Sequence, residues 1–124
     1  MKRICFFSGD ITRCGGTERA ATMVASGLSR TGRYKVSILS LVEQMETLFF
    51  PIEPEIKRFV LKAVRKWVRL GPGYLPFIPK LRRFLKRQQV DVIVDVDIVL
   101  DVLTLPAAAG LKVHTISWSH FAFQ

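Results

Sequence analysis

The first forty residues alternate between two chain periodicities, and that alternation constrains the fold more than any other feature. Residues 3–8, RICFFS, form a short apolar run closed by the turn residues Gly9 and Asp10, which reads as a buried strand. A loop follows and ends at Cys14-Gly15-Gly16-Thr17. In TERAATMVASGLSRTG, residues 17–32, Ala21, Val24, Ala25 and Leu28 recur at helical spacing. Thr17 fits the N-cap, Glu18 suits the positive start of the helix, and Gly32 supplies the stop. Residues 34–41, YKVSILSL, alternate and are rich in β-formers, so the chain returns to a second strand. Two strands joined through a helix pair in parallel, with a right-handed crossover.

The same rhythm continues. KRFVL, residues 57–61, predicts a third strand, although the KAVRKWV that follows has helical spacing through Val64, Trp67 and Val68. Gly71-Pro72-Gly73 is a break. Residues 77–88 predict a basic amphipathic helix with Leu81, Phe84 and Leu85 on its apolar side. DVIVDV, residues 91–96, reads as a strand, and IVLDVLTLPAAAG as a helix that Pro106 bends or ends, with Gly110 beyond. KVHTISW, residues 112–118, is a further strand. The expected fold class is α/β: one Rossmann-like domain over residues 1–124, an open, mostly parallel sheet with helices on both faces. The chain stops just after a strand, at SHFAFQ, where doubly wound domains seldom end, so the expectation is a truncated chain.

Bulk composition excludes several classes. With 49% hydrophobic residues in 124, the chain holds the material for a core and is not disordered. Cys5 lies in an apolar run and Cys14 in a loop; two cysteines without clustered histidine make neither a zinc site nor a disulfide framework, and no metal is expected. Met1-Lys2-Arg3 before Ile4–Phe7 imitates a signal peptide, but the apolar stretch is too short. No run approaches the roughly 20 apolar residues of a membrane-spanning helix. A cytoplasmic chain, soluble or peripheral at the inner face of the membrane, is the expectation. The net charge of +9 is unevenly spread: residues 57–90 hold eleven Lys or Arg and no Asp or Glu. Such a block attracts phosphates, on lipid head groups or on nucleic acid.

Four groups of residues are candidates for chemistry. The loop Gly15-Gly16-Thr17-Glu18 precedes the first helix; glycines allow close backbone approach, and helix-start N–H groups attract anions. Its plain alternative is a tight βα turn, and the dinucleotide fingerprint G-x-G-x-x-G is absent. His120, just past a predicted strand end, is placed to donate to a sugar hydroxyl or phosphate or to act as a base; the alternative is a surface loop histidine. His114, inside that strand, reads as structural. Asp95 and Asp97 share a strand face near its carboxyl end, where Asp95 can orient an acceptor hydroxyl and Asp97 fits an N-cap. Asp101 follows them in the next helix. Finally, Lys66, Trp67, Arg69, Lys80, Arg82, Arg83, Lys86 and Arg87 mix cations with an aromatic, as suits an interfacial surface beside anionic lipid. A solvated helix face explains part of that pattern, but not the lack of acids.

Strand one followed by GGTERAATMVASGLSRTGRYKVSILSL resembles the opening of GT-B fold glycosyltransferases, specifically the retaining group called family 4. Gly15, Gly16, Glu18, Arg19, Gly32 and Val36 carry the likeness, and VDVIVDV and Trp118-Ser119-His120 fall in the expected order. The resemblance implies an acceptor-binding N-terminal half facing a second Rossmann-like domain that binds a nucleotide-sugar. It maps approach to the donor phosphates onto Gly15 and Gly16, and sugar contact near the reacting centre onto His120. The paired glutamates and basic phosphate-binding residues of such enzymes belong to the C-terminal domain, which the expected truncation leaves out. It follows that this half alone holds no cofactor and is inactive, a UDP- or GDP-linked donor belonging to the full-length enzyme. The implied partners are a glycan or lipid-linked acceptor, an anionic membrane surface and the chain's own C-terminal domain.

Two other readings stand beside it. A non-enzymatic basic α/β module binding nucleic acid or anionic membrane would use the charged block, but the chain lacks RNP-like motifs, zinc fingers and a helix-turn-helix, so nucleic acid is not the expected partner. A receiver-like or flavodoxin-like domain would need an acidic cluster near the first strand, where only Asp10 stands.

Overall fold

The computed structural model describes residues 2–8, 16–42, 52–62, 77–96 and 100–117. They form β1 (Lys2–Ser8), α1 (Gly16–Arg30), β2 (Tyr34–Val42), β3 (Lys57–Lys62), α2 (Phe77–Arg87), β4 (Val92–Asp95), α3 (Asp101–Ala108) and β5 (His114–Ser117). All five strands are parallel, in the order β3-β2-β1-β4-β5. The expected Rossmann-like sheet is present, and KRFVL belongs to it, extended by one residue to Lys62.

Period-two alternation sorts the side chains of each strand onto two faces. Cys5 and Phe7 of β1, Leu39 and Leu41 of β2 and Ile93 of β4 pack with Leu81 and Leu85 of α2 and with Leu100, Ala107 and Ala108. Ile4, Phe6, Val36 and Ile38 point the other way, onto Ala21 and Ala25 of α1. Helices therefore cover both faces, and the innermost strand, β1, is apolar on both sides, as a buried parallel strand must be. Alanines at 21 and 25 let α1 lie close to the sheet.

Helix ends follow local chemistry. Gly32 adopts φ 71° immediately after α1, and its N–H donates to the Ser29 carbonyl, the left-handed stop that a glycine tolerates best. α1 starts at Gly16, so Thr17 stands inside the first turn, not at the N-cap expected from the sequence. In α2, Pro79 sits in the first turn, where a missing N–H costs no helical bond, and Lys86 and Arg87 complement the negative end of the helix.

The third helix departs most from expectation. It starts at Asp101 with Leu100 at the N-cap, and Asp97, the N-cap expected from the sequence, lies outside the described residues. Pro106 lies inside it, and the helix ends two residues later at Ala108. Its last turn is secured from outside: Arg82 Nη1 donates to the carbonyls of Ala107 at 3.2 Å and Ala109 at 2.6 Å. Gly110, at φ 77°, then turns the chain toward β5. His114, expected to be structural within its strand, is exposed at the start of β5, because β5 is an edge strand.

Candidate functional site

The strand order reverses at β1. From β1 the chain moves outward through β2 to β3, then returns to place β4 on the other side of β1. In open α/β sheets the carboxyl ends of the two strands flanking such a reversal open a crevice, where ligands bind. Here those ends are Ser8 of β1 and Asp95 of β4, aligned through the pairs Phe6↔Val94 and Phe7↔Asp95. Residues Gly16 to Arg30 then carry α1 away from this edge, so the helix start meets the crevice.

Gly16 opens α1, Thr17 follows in its first turn, and Glu18 is buried there at 3% exposure. An acid in the first turn suits the helix dipole, but this one is packed inward. Gly15, His120, Lys66, Trp67 and Arg69 lie outside the described residues, as do Cys14, Asp97 and Trp118. The structure thus positions Gly16, Thr17, Glu18 and Asp95 around one end of the sheet.

Asp95 ends β4 with its side chain fully buried, and Thr104 Oγ1 of α3 donates to its Oδ1 at 2.7 Å. A buried charge requires such donors, so this bond fixes the end of β4 against α3. The Asp95 charge also reaches Cys5 on the neighbouring strand. Burial pushes the Cys5 thiol up to about 12 from its ordinary 9.0; a hydrogen bond with Ser37 opposes that rise, and the Asp95 charge adds to it. Cys5 is accordingly a neutral core residue and no nucleophile at neutral pH.

The basic candidates separate into two kinds. Lys80, Arg83, Lys86 and Arg87 are exposed on α2, opposite the buried Leu81 and Leu85. Arg82 is half-buried and holds the end of α3. Among the described residues no helix is long and apolar enough to cross a membrane, and no group of three His, Cys, Asp or Glu is placed to hold a metal ion.

Sequence reasoning missed the cavities at the other end of the sheet. One of about 400 Å³ is lined by Arg3, Lys35, Ser37, Lys57, Phe59 and Gln88, among others. A shallower one nearby is bordered by Lys86, Asp91 and Lys112. The first is built by strand starts, and only the pairing register, which no local pattern encodes, brings its cations together.

No protein-family model matches the chain. An uncharacterized glycosyltransferase of Haemophilus influenzae (strain ATCC 51907 / DSM 11121 / KW20 / Rd) is 31% identical to it over all 124 residues. The chain spans about a third (34%) of the length of that curated relative. The likeness supports a glycosyltransferase relationship for the chain.

Proposed function

We propose that this chain is the acceptor-binding half of a retaining glycosyltransferase of the GT-B type, one that transfers a sugar from a nucleotide-sugar to a cell-envelope glycan or lipid-linked hydroxyl. The observation that carries the reading is the meeting of Gly16, at the start of α1, with the strand-order reversal between β1 and β4. The glycosyltransferase likeness over the whole chain points the same way. At such a place helix-start N–H groups attract a donor's diphosphate, and a glycine carries no Cβ to obstruct its approach. Gly15, Gly16 and Thr17 approach the donor phosphates, and His120 contacts the transferred sugar. Asp95, fixed by Thr104, holds the floor of the crevice in place. Donor binding falls mainly to a second domain, so the isolated half is inactive. The retaining outcome rests on the resemblance to family 4.

The exposed cations of α2 give the acceptor side a place to meet an anionic inner membrane face. Lys80, Arg83, Lys86 and Arg87 project from the helix whose opposite side is anchored by Leu81 and Leu85. Each cation near an anionic surface contributes about 1 kcal/mol, so four make a salt-sensitive attachment.

The test is made in the whole protein, with Gly16→Asp and His120→Ala assayed for sugar transfer. A loss of about a hundredfold or more in kcat/KM is expected, because a displacement of reacting groups by about 1 Å costs that much. Activity within a fewfold of wild type in both variants would remove the site assignment. Co-sedimentation with neutral and anionic vesicles tests the docking surface: binding should need anionic lipid and weaken with salt. Stronger binding to random RNA than to vesicles would favour a nucleic-acid module instead.

A further inference from the structure

The first of the two cavities described above lies at the amino ends of the strands, on the opposite edge from Gly16, Ser8 and Asp95. Its wall is made by parallel register. Arg3 of β1 stands beside Lys35 of β2, and Lys57 of β3 stands beside Ser37, two residues further along β2. Neighbouring strands lie about 4.8 Å apart, so the backbone alone holds Arg3 and Lys35 side by side. All three cations share the face that carries Cys5, Leu39 and Phe59, by the alternation of each strand.

Like charges placed next to each other on one sheet face repel and lower stability. Lys35 and Lys57 are exposed at or near their strand starts, where an uncharged polar residue would serve equally. Among the described residues, acids near these cations are few. Glu53 pairs with Arg30 at 2.6 Å, and the Asp91 carboxylate accepts the Arg3 backbone N–H at 2.8 Å. Among the described lining residues Glu55 is the single acid, against three cations. Arg3 is also held in position, because its Nη1 donates to the Gln88 carbonyl at 3.0 Å beyond the end of α2. The guanidinium keeps further donors in a rigid fork, while Lys35 and Lys57 offer mobile point charges. Tyr34 and Phe59 complete the lining with aromatic surface.

We propose that this cavity binds a soluble, small phosphate-bearing molecule, a phosphate ester or diphosphate, with Arg3, Lys35 and Lys57 holding its anionic oxygens. A volume of 400 Å³ lies within the range of small-ligand sites, about 300–1,000 Å³. The site is on the far edge from the crevice, so its occupant is distinct from any ligand of the crevice. The inference stands independently of the glycosyltransferase reading.

Calorimetric titration of the 124-residue chain with inorganic pyrophosphate, at fixed ionic strength, tests it. Wild type should bind saturably, and Lys35→Gln and Lys57→Gln should each weaken binding about tenfold, the weight of one charge-assisted hydrogen bond. Lys112→Gln, beside the shallower depression, should leave the affinity unchanged. Without pyrophosphate, Lys35→Gln should melt no lower than wild type, since it relieves repulsion with Arg3. Absence of saturable binding would overturn the proposal, as would an equal loss in Lys112→Gln. Displacement of vesicles containing phosphatidic acid without any binding of free pyrophosphate would overturn it too, by assigning the charge to a lipid surface.

Discussion

Replacing Thr104 by valine isolates the bond that holds the carboxyl end of β4. Thr104 Oγ1 donates to Asp95 Oδ1 at 2.7 Å, and both residues are fully buried. Valine preserves the branched shape and removes only the donor, leaving the Asp95 carboxylate in place. A hydrogen bond to a charged group contributes about 1.5–3 kcal/mol, so a loss of about 2–3 kcal/mol is expected. Thr104→Ser keeps the hydroxyl and deletes one buried methyl, a loss of about 1 kcal/mol. With urea slopes of about 1–3 kcal/mol/M for small proteins, valine should lower the unfolding midpoint by roughly 1–2 M and serine by less than half of that. Combining Thr104→Val with Asp95→Asn should cost less than the two changes summed, because they remove one shared interaction. A serine variant as unstable as the valine variant, or more so, would refute the reasoning: methyl packing, not the hydrogen bond, would then hold α3 to β4.

Two further outcomes follow from the backbone and the core. Gly32→Ala forces a left-handed φ of 71° on a residue with a Cβ and should cost about 1–2 kcal/mol, whereas Gly27→Ala, in the body of α1 with nothing within 4 Å, should raise the melting temperature. Differential scanning calorimetry of the pair checks the opposite signs. The Cys5 thiol keeps its proton in the folded chain up to about pH 12 but loses it near pH 9 when unfolded, so the unfolded state binds fewer protons in that window and stability falls as pH rises through it. In Cys5→Ala the melting temperature should fall less between pH 9 and 11; identical slopes would exclude Cys5 as the cause.

Most of the fold was legible because it depends on local periodicity. Apolar runs at 3–8, 34–41 and 91–96 fall within a residue or two of β1, β2 and β4, and the glycine at 32 stops α1 as its chemistry demands. The sequence was silent where a distant partner acts. Arg82, 24 positions before Pro106, bonds the carbonyls of Ala107 and Ala109 at the end of α3, a tie that no local pattern announces. Arg82 reads like its neighbours in a basic block, and only packing sets it apart. The candidate site was legible as a place, the carboxyl edge beside Gly16 and Asp95, whereas the inward packing of Glu18 and the tie from Asp95 to Thr104 were not. The cavity at the amino edge left no local trace, since Arg3, Lys35 and Lys57 meet only through strand register.

The central position of β1 also sets a timetable for the chain as it is made. The earliest of these five strands to be synthesised has two neighbours, and the second of them, β4, begins at Val92. The Arg3 backbone N–H finds the Asp91 carboxylate across 88 positions of sequence. At about 5–20 residues per second, a ribosome takes roughly 4–18 s to cover that interval. For all of that time β1 has at most one flank occupied, by β2, while the other presents a row of unsatisfied backbone groups beside Ile4, Phe6 and Phe7. A nascent chain with such an open flank invites pairing with its neighbours on a polysome, and closing the sheet waits on the slow closure of a long loop. The middle strand, the most protected place in the finished domain, is thus the most exposed one during its birth.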